Sequence, residues 1–589
     1  VKFRKLNRNM VLSFAYVFLV AASFVCSTTH QITTKDGAKI QFTVDKIVGH
    51  LWDGKRKSAM VDTSPYGATH LAALADLFGL IFDSVPVRAE YRGTYGSGGV
   101  FDTWAHAASD TNETFTWLAE QSWSNGVIQQ VGGSADGVPA ILAYKNSEPR
   151  KFQLGKAFLI WATGNVGPTL YPGGAFRESL AGMLRYITTD KTRPDASQYL
   201  LDLEDPRHEA YEQFNMNDQD YANVKEPVVM WAAWYDIFSM GNLVNFDGFQ
   251  QKSHPDARGK SYLIVEPAGH CQDPSLWLRD TILGHTGLGA LAGIFNFMGK
   301  KIPDKIGHIT FYVMGPHYWV NDKSVGNYWT TMDSWPVPEF KPLYLSADMR
   351  LTFELNETKS ANLSYAYDPK NPVKTQGGNN MLIRCGALDQ RSVEQSKRKD
   401  VLTFTSAPVQ DNMAVTGPLT VRLFVSSDAK DTDFTAKLTD VYPEGKSILI
   451  QDGIQRMRWR EPQKGPQLME PGKVYEIEIS LWNTSYVFNR GHRFRVSVSS
   501  SNAPRFDVNP NNGFLRGRDG PLVTATNTIH VGPETPSSIL LPMVTMSQLP
   551  KADVNAIYSD FGTTVDAVKS IAGYIAKSLL SFGRIRIGG

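Results

Sequence analysis

A serine, an acid and a histidine each stand just past an apolar run in this chain: Ser134 in VGGSADG after NGVIQQ, Asp236 after VVMWAAWY, and His270 after YLIVEPAG. Side chains of these types can run acyl transfer. A serine hydroxyl is a useful nucleophile only beside a base, with a carboxylate to orient that base and donors for the oxyanion that forms. Ser134 alone is as compatible with a loop of small residues as with a strained strand-to-helix turn. Gly132 allows such a turn, but the general elbow has glycine two residues after the serine; here that place is Asp136, and glycine comes one later, at Gly137. Asp236 alone reads as a turn or helix cap, and His270 alone as a loop residue.

The elements around these residues change that balance. From about Thr33 to Val337, β-rich runs (KIQFTV, SAMVDTS, VPVRAEY, VVMWAAW, SYLIVEP) alternate with segments of helical period such as DTNETFTWLAEQ. Such alternation predicts an α/β fold with a mostly parallel, doubly wound sheet, in which residues beyond the carboxyl ends of strands gather at one rim. Serine, acid, histidine is the chain order of an α/β-hydrolase. Between about residues 164 and 224 the strands lapse into TLYPGGAFRESLAGMLRYI and DPRHEAYEQF, which predict a helical cap inserted in the hydrolase domain. Beyond WPVPEFKPLYLS, alternating runs such as GPLTVRLFVSS, KVYEIEISLW and HRFRVSVSSS, separated by turn residues, predict an antiparallel sandwich. The expected divisions are 1–29, 30–340, 341–550 and 551–589. In the last of these Val565, Val568, Ala572, Ile575, Leu579 and Phe582 form one helical stripe, expected to dock on the protein itself.

The chain resembles the family of cocaine esterase and the Xaa-Pro dipeptidyl-peptidases, which includes acylases and α-amino acid ester hydrolases. The resemblance runs from DGAKI to about Leu541 and rests on SPYG, YRGTYGSGG, YPGGA, WYD and GH, and on the long stretches VTGPLTVRLFVSSDAKDTDFTAKLTDVYPEGKS and TSYVFNRGHRFRVSVSSSNAPRFDVNPN. The family's serine motif, G-x-S-Y-x-G, accounts for the displaced Gly137. The resemblance implies an α/β-hydrolase with a C-terminal jelly roll. It also implies Ser134 as nucleophile, His270 as general base and acid, Asp236 as its orienting partner, and an oxyanion hole from the Tyr66 phenol and the Ala135 N–H. Ala135 replaces the family's usual tyrosine, but only its amide is needed. Glu90 replaces the usual aspartate, and Leu170 stands where the esterase branch has an aromatic that stacks on the acyl group. Phe238 is the candidate pocket wall. The activity implied is cleavage of an ester or amide, with Xaa-Pro dipeptide release as one form. That form needs an amino-group anchor, for which Asp202, Glu204, Asp205 and Glu209 are candidates by charge and place alone. The rival reading is a catalytically silent protein that binds sugar or another ligand through the jelly roll.

Sixty basic and fifty-eight acidic residues give a net charge of +2, so no overall field favours nucleic acid. The expected partner is a small ester, amide or short peptide. No cofactor or metal is expected: GTYGSGG lacks the Lys-Ser/Thr of a phosphate loop, and RHEAYE lacks the second histidine of a zinc helix. Lys2, Arg4, Lys5 and Arg8 precede the apolar run MVLSFAYVFLVAASFV, the pattern of a secretory signal, with Met10 a candidate initiator and an uncleaved membrane anchor the alternative. Secretion would make the sequons at Asn112, Asn356, Asn362 and Asn483 usable. Cys26, Cys271 and Cys385 make no disulfide framework.

Overall fold

The computed structural model describes residues 25–47, 54–67, 82–145, 150–180, 182, 203–270, 288–297, 299–316, 325–355, 359–381, 383–514 and 520–561. Ten strands build the first sheet in the order β1-β2-β4-β3-β5-β6-β7-β8-β9-β10. β1 (Val25–Thr33) and β2 (Lys39–Ile47) pair antiparallel at one edge. β3 (Lys57–Ser64), β4 (Ser84–Glu90), β5 (Ser124–Gly133), β6 (Gln153–Ile160), β7 (Val228–Tyr235), β8 (Tyr262–Gly269) and β9 (Ile309–Val313) form the parallel centre. β10 (Tyr328–Met332) closes the other edge antiparallel. Every residue of β4 and of β7 is buried, as central parallel strands covered on both faces require. The helix Ala107–Ala119 packs on β5 through Ala108, Thr111, Phe115 and Leu118, which recur at helical spacing.

The antiparallel β domain follows. Its strands are β11 (Glu339–Leu345), β12 (Arg350–Thr352), β13 (Ala361–Tyr367), β14 (Leu402–Ser406), β15 (Met413–Ser427), β16 (Asp433–Val441), β17 (Ser447–Arg456), β18 (Tyr475–Phe488), β19 (Arg493–Ser499), β20 (Ala525–Val531) and β21 (Ser538–Val544). β15 pairs along its length with β18, and also with β20 and β21. Exposed and buried residues alternate along β13 and the first half of β18, the mark of a sheet with one face in water.

The expected divisions at 29/30 and 340/341 fall inside strands β1 and β11. Cys26, placed at the edge of a removable leader, is an exposed residue of β1; Cys385 is buried; Cys271 and residues 1–24 of the leader lie outside the described residues. The helical period expected from Thr169 onward is broken: a helix at Gly167–Leu170 stops at Tyr171, and the turn Pro172–Gly174 follows, with Gly173 at φ 57°. Proline and glycine there override the apolar spacing. Between β6 and β7 the chain also forms helices Ala210–Phe214 and Asp218–Ala222. At the C-terminus the helix Val554–Asp560 docks through Ile557, and Phe561 meets Phe295 edge-on at 4.6 Å; the stripe from Val565 to Phe582 lies outside the described residues. Among the described residues no helix is long and apolar enough to cross a membrane.

Candidate active site

Ser134 follows the last residue of β5 and adopts φ +58°, a left-handed conformation that costs a non-glycine residue on the order of 1–3 kcal/mol. A short turn, Ser134–Asp136, then leads into the helix Gly137–Leu142. The strand end and the helix start press together. A Cβ on Gly132 would lie 2.4 Å from the Asp136 carbonyl oxygen, and one on Gly137 would lie 2.4 Å from the Ala162 Cβ and 2.8 Å from the Gly132 oxygen. The close approach therefore falls at 132 and 137, which explains why Asp136 can carry a side chain where the general elbow has glycine. The Tyr91 hydroxyl donates to the Ala135 carbonyl and accepts from the Trp104 indole at 2.9 Å, bracing the turn from outside. Burial first, then the Asp136 carboxylate, holds the Tyr91 phenol well above its usual range, so it stays a donor.

The three chemistry-bearing residues meet. Ser134 Oγ lies 2.8 Å from His270 Nε2, and His270 Nδ1 is hydrogen-bonded to Asp236 Oδ2. A carboxylate only accepts, so Nδ1 carries the proton and Nε2 is left to accept from the serine. Tyr235 pairs with Gly269 across β7 and β8, which makes Asp236 and His270 the next residues on adjacent parallel strands. Both side chains are wholly buried. The second Asp236 oxygen, Oδ1, accepts from the Phe238 N–H at 2.7 Å. The imidazole packs near two aromatic rings, Phe238 at 5.4 Å edge-on and Trp161 at 6.2 Å.

Tyr66 is half-buried two residues beyond β3 and packs on an apolar cluster that includes Ala135, Leu170, Phe238 and Met381. Glu90 closes β4, where its carboxylate accepts from the Gly96 N–H at 2.8 Å and holds the glycine-rich loop. The four proposed amino-group anchors separate. Asp205 is spent on Arg207 at 2.6 Å, Glu209 is exposed, and Asp202 lies outside the described residues. Glu204 accepts from the Trp459 indole at 3.4 Å and lines a cavity of about 490 Å³ between the cap and the β domain, walled by Tyr171, Trp459 and Trp482. Of the sequons, Asn362 is exposed, Asn112 and Asn483 are half-buried within a helix and a strand, and Asn356 lies outside the described residues.

Sequence reading missed Asn379 and Arg177. Asn379, from the β domain, donates to the Asp236 carbonyl at 2.9 Å and to the Trp234 carbonyl at 3.1 Å. Arg177, from the cap, donates to the carbonyls of Asn379 and Thr169, each at 2.8 Å. Burial, helped by nearby Arg505, pulls the Arg177 guanidinium well below its usual range, against the carboxylates of Asp452 and Asp236. The paired asparagines of GGNNML were the one visible signal, since polar residues in a run that must be buried need partners.

A parallel sheet with serine, histidine and aspartate hydrogen-bonded in series at its carboxyl rim defines a serine hydrolase of the α/β-hydrolase class. Residues 59–272 match the X-Pro dipeptidyl-peptidase (S15 family), and residues 315–540 match the X-Pro dipeptidyl-peptidase C-terminal non-catalytic domain. The chain is 30% identical over 532 residues to the cocaine esterase of Rhodococcus sp. (strain MB1 Bresler), covering 77% of this chain and 87% of that protein. It belongs to the family that these matches define, that of cocaine esterase and the S15 X-Pro dipeptidyl-peptidases, and is a serine esterase or peptidase. Solved structures share the fold: an aminopeptidase from the marine sediment archaeon Thaumarchaeota archaeon (TM-score 0.68, 22% identity, 89% of this chain and 97% of that one) and an α-amino acid ester hydrolase (TM-score 0.66, 22% identity, 88% and 97%).

Proposed function

We propose that the protein hydrolyses carboxylic esters with an apolar acyl group through an acyl-enzyme on Ser134. The observation that carries this reading is the series of hydrogen bonds Ser134–His270–Asp236. Ser134 Oγ attacks the carbonyl carbon while His270 Nε2 takes its proton, and the Asp236 carboxylate stabilises the imidazolium. The oxyanion accepts from the Ala135 N–H, at the start of the elbow helix, and from the Tyr66 hydroxyl. Collapse expels the alcohol, which receives the proton from His270. A water molecule, deprotonated by the same nitrogen, then attacks the acyl carbon and regenerates Ser134.

Phe238, whose ring meets the His270 imidazole edge-on at 5.4 Å, belongs to the same apolar cluster as Ala135, Leu170 and Met381, and this supports an apolar acyl group. A covalent fluorophosphonate tests the centre. Ser134 should be captured in the wild type and nothing in Ser134→Ala; a wild type that resists labelling would leave the silent binding protein as the better reading. A second reading, release of Xaa-Pro dipeptides, draws support from the S15 match over residues 59–272. Rates on p-nitrophenyl butyrate and Ala-Pro-p-nitroanilide separate the two, and turnover of the anilide alone would favour the peptidase. The basic residues ahead of the N-terminal apolar run support a secretory route, which expression with a C-terminal tag and N-terminal sequencing of the secreted chain would test.

A further inference from the structure

The carboxyl end of β7 is held from more than one part of the chain. Strand pairing to β8 ends at Tyr235, so the peptide of Asp236 has left the ladder, yet Asp236 is fully buried. The turn that follows holds this peptide in part: the Asp236 N–H donates to the Ala233 carbonyl and the Asp236 carbonyl accepts from the Ser239 N–H, each at 3.2 Å, which leaves the second lone pair of that buried carbonyl for another donor. The β domain supplies further donors. Asn379 Nδ2 lies within hydrogen-bond distance of the Asp236 carbonyl (2.9 Å), the Trp234 carbonyl (3.1 Å) and the Ser239 hydroxyl (3.2 Å). Gln451, on β17, donates to the Trp234 carbonyl at 3.0 Å, and the Tyr235 hydroxyl donates to the Leu449 carbonyl at 3.1 Å. Asn379 is itself held, because its carbonyl accepts from Arg177, a cap residue with no exposed surface.

We propose that Asn379 is a positioning residue of the active site, through which the β domain fixes the Asp236 peptide and hence the direction of the carboxylate that meets His270. Three units of the chain meet at this residue: the rim of the first sheet at its side-chain amide through Asp236, the cap at its backbone carbonyl through Arg177, and the β domain that carries it. Asn379 touches no reacting atom. Its amide is the right chemistry, since two carbonyls must be met by N–H groups and a carboxylate of similar shape would present oxygen to oxygen. Asp236 bears directly on His270, so a small rotation of its peptide alters the base rather than the substrate pocket.

This inference rests on the proposed roles of Ser134, His270 and Asp236, and the test separates the two. Fluorophosphonate capture of wild-type Ser134 examines those roles without reference to Asn379. In the full-length Asn379→Ala protein, kcat on p-nitrophenyl butyrate should fall about tenfold or more with KM within twofold of wild type, because misdirected catalytic groups cost rate rather than binding. The low-field proton resonance of the His270–Asp236 hydrogen bond should shift or broaden in the same variant. If Asn379→Ala does not accumulate as folded protein, Asn379→Leu, which keeps the shape of the side chain without a donor, takes its place under the same two readouts. A folded variant with kcat within twofold of wild type and an unchanged resonance overturns the proposal. So does a loss of activity that only follows the folded fraction.

Discussion

Two of the trios of histidine, aspartate and hydroxyl among the described residues differ in a way that separates catalysis from structure. At the rim of the parallel sheet, His270 bonds Asp236 with one nitrogen and Ser134 with the other. In the β domain, His492 Nδ1 lies 2.9 Å from both oxygens of Asp440, and the Tyr486 hydroxyl donates to that same carboxylate at 2.8 Å. In the first trio the histidine stands between acid and hydroxyl; in the second the acid stands between histidine and hydroxyl. Only the first can move a proton from a hydroxyl to an imidazole. The second is a satisfied buried carboxylate. Burial raises the Asp440 carboxyl, and the hydrogen bond from His492 works against that rise. The first trio also includes a strained residue, Ser134 at φ +58°, at a strand end, whereas Tyr486 lies inside β18. Residue types alone do not make a site; the order of the bonds and the exposed end of a parallel strand do.

Substitutions can break this comparison. Asp236→Asn leaves the shape of the first trio but favours the wrong imidazole tautomer, and kcat/KM should fall about 10⁴-fold while the melting temperature stays within a few degrees; stopped-rate ester assays and calorimetry check both. Removing the proposed oxyanion donor, for which the second trio has no counterpart, sharpens the contrast. Tyr66→Phe should cost about 10²-fold in kcat with fluorophosphonate capture slowed but retained. The matching cut in the β domain, His492→Ala, strands the buried Asp440 with one partner and should cost about 3 kcal/mol of stability in denaturant titration, with kcat/KM of the folded protein within twofold of wild type. A large loss of rate there would mean the two trios are not functionally separate.

The smallest effect concerns a carboxylate that belongs to neither trio. Burial pushes the Asp62 carboxyl on β3 up to about 7, against the pull of the Arg88 guanidinium. The folded protein therefore holds this proton more tightly than the unfolded chain, so the group favours the fold below about pH 4 and that advantage is lost as pH rises through 7. Asp62→Asn should stabilise the protein at pH 8 by about 2 kcal/mol, less than the full linkage because the residue keeps some solvent contact, and the gain should vanish by pH 4 in paired thermal melts.

Much of the architecture was legible because its signals are local. The runs at β2, β3, β4, β7 and β8 and the alternation in β15, β18 and β19 each sit within about ten residues of text, and strand period follows from the alternating direction of successive side chains. β6 and β17 were harder to see. Gly155 and Lys156 interrupt the apolar run of β6, and Gln451, Asp452 and Gly453 that of β17, so each reads as a break rather than a strand. The cap was legible as a break in the β pattern, but apolar spacing does not reveal how Pro172 and Gly173 turn the chain before it becomes helical again at 178–180.

The sequence by itself determined the order of serine, acid and histidine, the glycines that let the elbow close, and the change from an alternating α/β text to a strand-and-turn text. These depend on backbone sterics and periodicity, which act between near neighbours. Tertiary structure alone decided which polar residues share a hydrogen bond: Ser134 and His270 stand 136 residues apart, and Asn379 reaches Asp236 across 143. It also decided that Glu204, and not Asp205, lines the cavity between cap and β domain. Such pairings arise when buried donors and acceptors must find each other after the chain has compacted, and no local pattern records that requirement.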